Sequence, residues 1–476
     1  MNKSQDKIKW YMLSFMCFST LWAFGNVLNG FIYFNGTQVI FSWILMFALY
    51  FVPYALMVGE LGSAFKNSGG GVSSWIHETT GAKAAYYAGW TYWACHVTYI
   101  ASKGSGGLKA LSWMIFQNAE KYASFNTKEV QLVTFAVLLF FCWVASRGLN
   151  PLKKLATLAG TSMFVMSILY ILLMFAAPAI NPNGGYLSVD FSLKNMIPAF
   201  NWKYFSSLSI LVFAVGGCEK ISPYVNKVED PAKGFPKSMI FAAIMVIVCA
   251  IFGTIAMGMM FDPVLIEENF DSYNANGSYW AFQKLGEYYH IGDTFLIIYA
   301  LCNLIGQFSI LILSIDAPLR MLLDNEKTAQ YIPSGLRKKN KYGAYSNGIK
   351  LVLVLAGAII VVQTFLPGAA AVLQQLTRLN SVCMPLRYTW VFVAYIALRK
   401  AYDRIPAEYR FVKNQKIAYF FGGWCLFVTL ICCIMGMYNK NPFTFAMNVI
   451  TPVVLTALGI IMPKLAERER AKESGK

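Results

Sequence analysis

Charge is scarce in this chain, and negative charge is scarcest. Only 13% of its 476 residues are Asp, Glu, Lys or Arg, with 23 acidic against 40 basic residues. So thin a charged shell excludes an ordinary water-soluble protein of this length. Histidine is nearly absent: the three, at 77, 96 and 290, have no metal-ligand spacing. The ten cysteines (17, 95, 142, 218, 249, 302, 383, 425, 432 and 433) contain no CxxC pair and all fall in apolar runs. Disulfide and zinc frameworks are therefore not expected, and these cysteines read as small packing residues. There is also no nucleophile–base pair, phosphate loop or metal constellation, which argues against an enzyme and against a resident cofactor.

What is present is apolar and aromatic: 57% hydrophobic residues, including 36 Phe, 27 Tyr and 12 Trp. The apolar runs reach the ~20 residues a membrane-crossing helix needs, about twice a barrel strand. The expected fold is an all-α polytopic membrane protein in one transporter domain. Twelve spans can be drawn, near 8–33, 38–61, 84–115, 129–147, 156–178, 204–226, 238–261, 292–318, 347–366, 371–398, 417–437 and 444–462. The basic start, MNKSQDKIK, precedes a run too long for a signal peptide and without an A-x-A site, so it reads as a retained first helix.

The net charge of +17 would point to nucleic acid in a soluble protein, but its distribution explains it otherwise. With both termini inside, the inner connections hold 30 Lys and Arg, the outer ones 6, and four (Lys103, Lys109, Arg378, Arg387) lie within spans. This bias places the termini in the cytoplasm and removes the nucleic-acid reading; the macroscopic partner is the lipid bilayer.

Two spans carry interruptions. In 211–237, LVFAVGGCEKISPYVNKVEDPAKGFPK, the residues Gly216, Gly217, Cys218 and Glu219 fall in the middle of an apolar helix. Adjacent glycines weaken a helix by about 1 kcal/mol each, and a carboxylate at that depth needs a partner or a cavity. The first span is interrupted by GNVLNG at 25–30. Broken helices at corresponding places in two halves point to a transporter built from inverted repeats, with freed backbone groups holding the substrate. The plainer alternative is that these glycines only let helices pack closely.

The charges inside spans need partners. Lys109 and Asp316 lie near span ends and are expected to reach the interface. Arg387 is expected to pair with Asp316, and Glu60 with the loop lysines Lys66 and Lys83. Lys103 and Arg378 lie deeper and are open to two roles, neutralising Glu219 or meeting an acidic substrate side chain. Burial favours the protonated form of Glu219 and a nearby cation its charged form, leaving proton carrier and fixed hinge charge as alternatives. Trp90, Trp93 and Tyr99 are added as cavity candidates.

FAVGGCE followed by VNKVEDPAKGFPKSM resembles the sixth-helix signature of the amino acid–polyamine–organocation superfamily. PYALMVGELGSAFKNSGGGVSSWIHETTG, SRGLNPLKKLAT and DAPLRMLLDNEKTAQYIPSGLRKKNKYGAYSNGI resemble its connecting segments, the first and last of them most closely in the bacterial glutamate/GABA-antiporter branch. The resemblance covers essentially the whole chain. It implies a core of two inverted five-helix repeats (8–178 and 204–398) with broken helices one and six, plus two added helices (417–462). It also implies alternating access around a central amino acid site. Carried over residue by residue, Gly25, Asn26 and Val27 receive the substrate's amino and carboxylate groups. Phe213 closes over it, Gly216 and Gly217 form the second break, Ala94 and Cys95 flank the substrate, and Glu219 links binding to movement of helix six. The first break departs from the family's glycine-serine-glycine, and Ser167 stands where some proton-coupled relatives carry lysine.

The expected function is secondary active amino acid transport across the cytoplasmic membrane, by exchange. The alternatives are proton-coupled symport and, from a different class, a non-transporting amino acid sensor; the short tails argue against the sensor. A channel is disfavoured because no filter motif repeats. The basic excess within the spans tilts the substrate toward neutral or acidic amino acids.

Overall fold

The computed structural model describes residues 7–365 and 384–474, which are helical apart from connecting segments and one isolated extended pair, Ile8 with Val228. Arg378, Cys383 and the first half of the tenth expected span lie outside the described residues. In chain order the main helices are α1 (Trp10–Leu21), α2 (Gly25–Tyr33), α3 (Gly36–Ala64), α4 (Val72–Thr80) and α5 (Ala82–Phe116). Next come α6 (Thr127–Ala145), α7 (Leu149–Ile180) and α8 (Trp202–Val215), then a 3-10 segment, Cys218–Lys227. They are followed by α9 (Pro231–Gly258), α10 (Phe270–Tyr288), α11 (Thr294–Leu323) and α12 (Ser346–Phe365). The last three are α13 (Thr389–Lys400), α14 (Gln415–Met437) and α15 (Pro442–Ser474).

Among the described residues, ten helical stretches are long and apolar enough to cross a membrane. Helix α5 is not one of them, although its 35 residues span about 52 Å at the helical rise. Its lysines and polar residues dilute its apolarity, because much of it faces protein and a cavity instead of lipid. Exposed Leu132, Phe140, Leu172, Val354, Phe427 and Val453 give the outside of the bundle an apolar coat suited to acyl chains.

Small residues set how closely the helices approach. A Cβ at Gly89 of α5 would stand 2.8 Å from the Met321 carbonyl oxygen of α11, and one at Gly107 2.5 Å from the Phe308 ring. Gly160 brings α7 against the backbone of Phe15 in α1, where a Cβ would lie 1.9 Å from its carbonyl oxygen. Close backbone approach of this kind replaces the hydrophobic driving force that lipid cannot supply.

Two expected ion pairs are corrected. Glu60 does not meet Lys66 or Lys83. It accepts from Arg399 Nη2 at 2.6 Å and from the Phe411 amide at 2.8 Å, in a pocket where both charges are fully covered. Lys66 pairs with Glu408 instead. Glu60 points inward from α3 toward α13, so loop lysines in water cannot reach it. Asp316 is likewise held by Arg320, one turn along α11, at 2.6 Å and by the Tyr224 hydroxyl at 2.7 Å, not by Arg387. Lys109 donates to the Ala275 carbonyl at 2.5 Å, tying α5 to the first turns of α10. The extended Ile8 exchanges two backbone hydrogen bonds with the end of the 3-10 segment, its amide to Lys227 O at 2.8 Å and its carbonyl from Glu229 N at 2.9 Å.

Candidate functional site

Both expected interruptions are present, one of them displaced. The GNVLNG run is helical and forms most of α2; the break falls just before it, at Trp22, Ala23 and Phe24. Tertiary packing overrides local propensity here. Trp22 is extended (φ −132°, ψ 133°) and its ring meets Trp43 at 5.7 Å, while Phe24 packs on Tyr170 and Phe282, each at 4.8 Å. The second break lies where the glycines stand. Helix α8 stops at Val215, Gly216 is extended, and Gly217 takes φ +115°, a conformation natural only to glycine. Gly216 is also sterically obligatory, because a Cβ would fall 2.1 Å from the Tyr388 ring. Asn26 spans the two breaks: its Nδ2 lies 3.3 Å from Leu21 O, at the end of α1, and 3.4 Å from Ala214 O, near the end of α8.

Between the breaks lies a cavity of about 480 Å³ whose walls come from α1, α2, α5, α8, the 3-10 segment, α11 and the chain before α13. Of the expected site residues, Gly25, Asn26, Phe213, Gly216, Gly217 and Lys103 line it, as does Tyr99. The others do not. Val27 faces α9, where it packs over Gly253. Cys95 forms a small apolar cluster with Met384, against which Tyr99 and Phe213 pack, so it supports the wall from behind. Ala94 is buried in the core. Trp90 donates to Leu455 O at 2.7 Å and anchors α15, and Trp93 packs on Trp90; neither reaches the cavity.

Glu219 is fully buried two residues beyond the second break, but it lies behind the cavity wall and not in it. The Tyr54 hydroxyl donates to its Oε2, while Oε1 has no hydrogen-bond partner among the described residues and lies 3.8 Å from Arg387 Nε. The cation facing Glu219 is thus Arg387, for which the sequence suggests a different partner. Lys103 stands over the Tyr99 ring at 4.4 Å and makes no ion pair with Glu219. Arg387 Nη1 also reaches His96 (2.9 Å to Nδ1, 3.1 Å to Nε2) and the Met384 sulfur at 2.9 Å. His96 Nδ1 lies 2.6 Å from Tyr92 O. If Nδ1 donates there, Nε2 accepts from the guanidinium and the imidazole is neutral.

Three residues that line the cavity are not evident from the sequence. Lys220 counts there as an inner-loop charge, yet it is 5% exposed, lines the cavity, and donates to Ser314 Oγ at 2.9 Å. The break keeps the residues after Gly217 inside the bundle, where an unbroken helix would have carried them out. His96 draws attention in the sequence only as a metal ligand without companions. Its signal is periodic: His96, Tyr99 and Lys103 recur at helical spacing on one face of α5. Tyr388 has no signal at all, since only the fold sets it on Gly216.

The 3-10 segment connects this cavity to a second, larger one. Lys220 lines the first; Pro223, Tyr224, Asn226 and Lys227 line the second, of about 940 Å³, on the face that carries the basic loops. Tyr224 and Arg320 in the wall of the second cavity both meet the buried Asp316, and Arg320 also meets Asp324. Asp324 is drawn below the usual carboxylate range. Its burial works against this, but the Arg320 charge and hydrogen bonds from Lys339 and Tyr345 outweigh it.

The chain matches the amino acid permease family over residues 8–458. It is 44% identical to the aspartate/glutamate permease AcaP of Lactococcus lactis subsp. cremoris (strain MG1363) over 477 residues, 98% of this chain and 96% of that protein. The inner membrane transporter YjeM of Escherichia coli (strain K12) is 24% identical over 408 residues, 80% of each chain. A glutamate/gamma-aminobutyrate antiporter of Lactococcus lactis subsp. lactis (strain IL1403) is 24% identical over 215 residues, 44% of this chain and 41% of that protein.

Proposed function

This chain belongs to the amino acid permease family, a family of transporters and not enzymes, and from that premise we propose that it carries acidic amino acids, by exchange, across the cytoplasmic membrane. The observation that carries the substrate class is the charge of the cavity. Lys103, Lys220 and Arg387 line it, and no Asp or Glu does so among the described residues. Glu219, the nearest carboxylate, is withdrawn behind the wall and faces Arg387. A cavity with this sign attracts an anion and repels arginine or a polyamine. The 44% identity to a protein named an aspartate/glutamate permease supports the same reading.

In this reading the substrate's α-carboxylate sits at the positive end of the α2 dipole, and its ammonium sits near the carbonyls of the two helix ends that Asn26 joins. Phe213 covers it from the side. Alternating access then opens the cavity in turn to each side of the membrane. The architecture belonging to this reading is two five-helix repeats over 8–178 and 204–398 with two further helices, twelve spans in all, and both termini cytoplasmic.

The test is counterflow in proteoliposomes. Vesicles preloaded with unlabelled aspartate or glutamate should accumulate labelled aspartate transiently, and arginine or agmatine should not compete. Competition by arginine with none by glutamate would sink the substrate assignment. A second reading, proton-coupled symport, draws on the buried Glu219 oxygen that lacks a hydrogen-bond partner among the described residues. An imposed pH gradient driving aspartate into empty vesicles would favour it; uptake only into preloaded vesicles would favour exchange.

A further inference from the structure

Two ammonium groups share one aromatic ring in the cavity. Lys103 Nζ lies 4.4 Å from the Tyr99 ring centre and Lys220 Nζ lies 5.5 Å from it. They are therefore no more than about 10 Å apart, close enough to repel where water is scarce. Neither forms an ion pair with an Asp or Glu among the described residues. Lys220 has a neutral partner, Ser314, and the ring's negative face attracts both cations, but neither supplies an opposite charge. Arg387 is placed differently: its Nη1 is committed to His96 and Met384, and its Nε faces Glu219.

We infer that Lys103 and Lys220, set about the ring of Tyr99, form the subsite that receives the substrate's side-chain carboxylate. The inference rests on the acidic-substrate reading and goes beyond it by assigning the second carboxylate a place and a part in closure. Lys103 belongs to the continuous helix α5, whereas Lys220 belongs to the segment after the break at Gly217. A carboxylate between them neutralises the repulsion and ties one element to the other. An acidic side chain is thus recognised by the same contact that draws the broken segment toward α5. An amide of the same shape brings no charge and leaves the two lysines repelling one another. Discrimination of aspartate from asparagine then arises in the closing step as well as in binding. The plainer role, in which these lysines merely balance Glu219, fits poorly, because Glu219 lies outside the cavity and has Arg387 beside it.

The experiment compares wild-type protein, Lys103→Gln, Lys103→Arg and Lys220→Met in proteoliposomes, with labelled aspartate, asparagine, glutamate and glutamine as probes. Size-exclusion profiles check folding, and thermal shifts with each probe check binding apart from transport. The expected result is a roughly 10- to 100-fold rise in the aspartate KM for Lys103→Gln, the range for losing one charged hydrogen bond. Asparagine should compete as well as or better than before, and Lys103→Arg should retain aspartate. Lys220→Met should lose the same aspartate preference; if it does not fold, the Lys103 series decides alone. Unchanged aspartate KM and unchanged aspartate-over-asparagine preference in Lys103→Gln would overturn the subsite. Wild-type protein that takes up neither aspartate nor glutamate would instead overturn the reading beneath it.

Discussion

Gly216 is where the site has least room. Its missing side chain lets the Tyr388 ring press on the second break, and a methyl group would overlap that ring. Gly216→Ala should destabilise the purified protein by about 1–3 kcal/mol in thermal unfolding, the range for overpacking a filled core. Combining it with Tyr388→Leu should recover part of the loss; no loss in the single variant would mean the ring moves freely. Glu60 and Arg399 make a second test. Glu60→Gln leaves a covered guanidinium short of a counter-charge and should cost about 3–5 kcal/mol, read in the same unfolding experiment. Single residues are legible in the sequence only when their type is improbable for their place. Glu219, Gly217 and Lys103 announce themselves that way. Arg387 does so too, but its partner is not legible, since helical spacing says which face a residue lies on and not which neighbouring helix turns toward it.

At the level of elements, ten of the apolar stretches and the presence of both breaks can be read from the chain, because apolar length and interruption are local properties. The exact place of the first break cannot. It depends on Trp22 and Phe24 finding Trp43, Tyr170 and Phe282, which lie up to 258 positions further on. The 3-10 segment after the second break is the element best suited to change register in the cycle, because its hydrogen bonds are poorer than α-helical ones and it touches both cavities. Glu219 anchors it to α3 through Tyr54. Glu219→Gln keeps the shape and weakens the contact opposite Arg387, so transport in proteoliposomes should slow. An unchanged rate would show that Glu219 does not hold the segment. Tyr54→Phe should slow exchange in the same direction while leaving the charge in place.

Across the whole molecule, charge concentrates on one face, where it makes a network and not a simple coat. Asp324 gathers Arg320, Lys339 and Tyr345, and its carboxyl titrates below its ordinary value. A depressed folded-state value means the stabilisation is present above the unfolded value of about 3.9 and fades as pH falls through the folded one. Thermal stability should therefore drop as pH is lowered below about 4, and Asp324→Asn should be less stable at neutral pH with a shallower acid decline. An identical decline in both proteins would assign the acid sensitivity to other carboxylates.

The pairing of Ile8 with Val228, together with the reach of Asn26 to Ala214, also bears on how the chain is made. Helix α1 leaves the ribosome about two hundred residues before its partners. At 5–20 residues per second, that is a wait of about 10–40 s with Ile8 unpaired and the Asn26 amide holding only Leu21 O. Insertion of the first span is thus a provisional act, completed only when the sixth arrives. Ribosome-stalled chains ending before residue 214 should leave a cysteine placed at Trp22 open to a water-soluble thiol reagent, and chains extended past 260 should shield it. Equal protection in both would mean that the first helix finds a temporary guardian during synthesis.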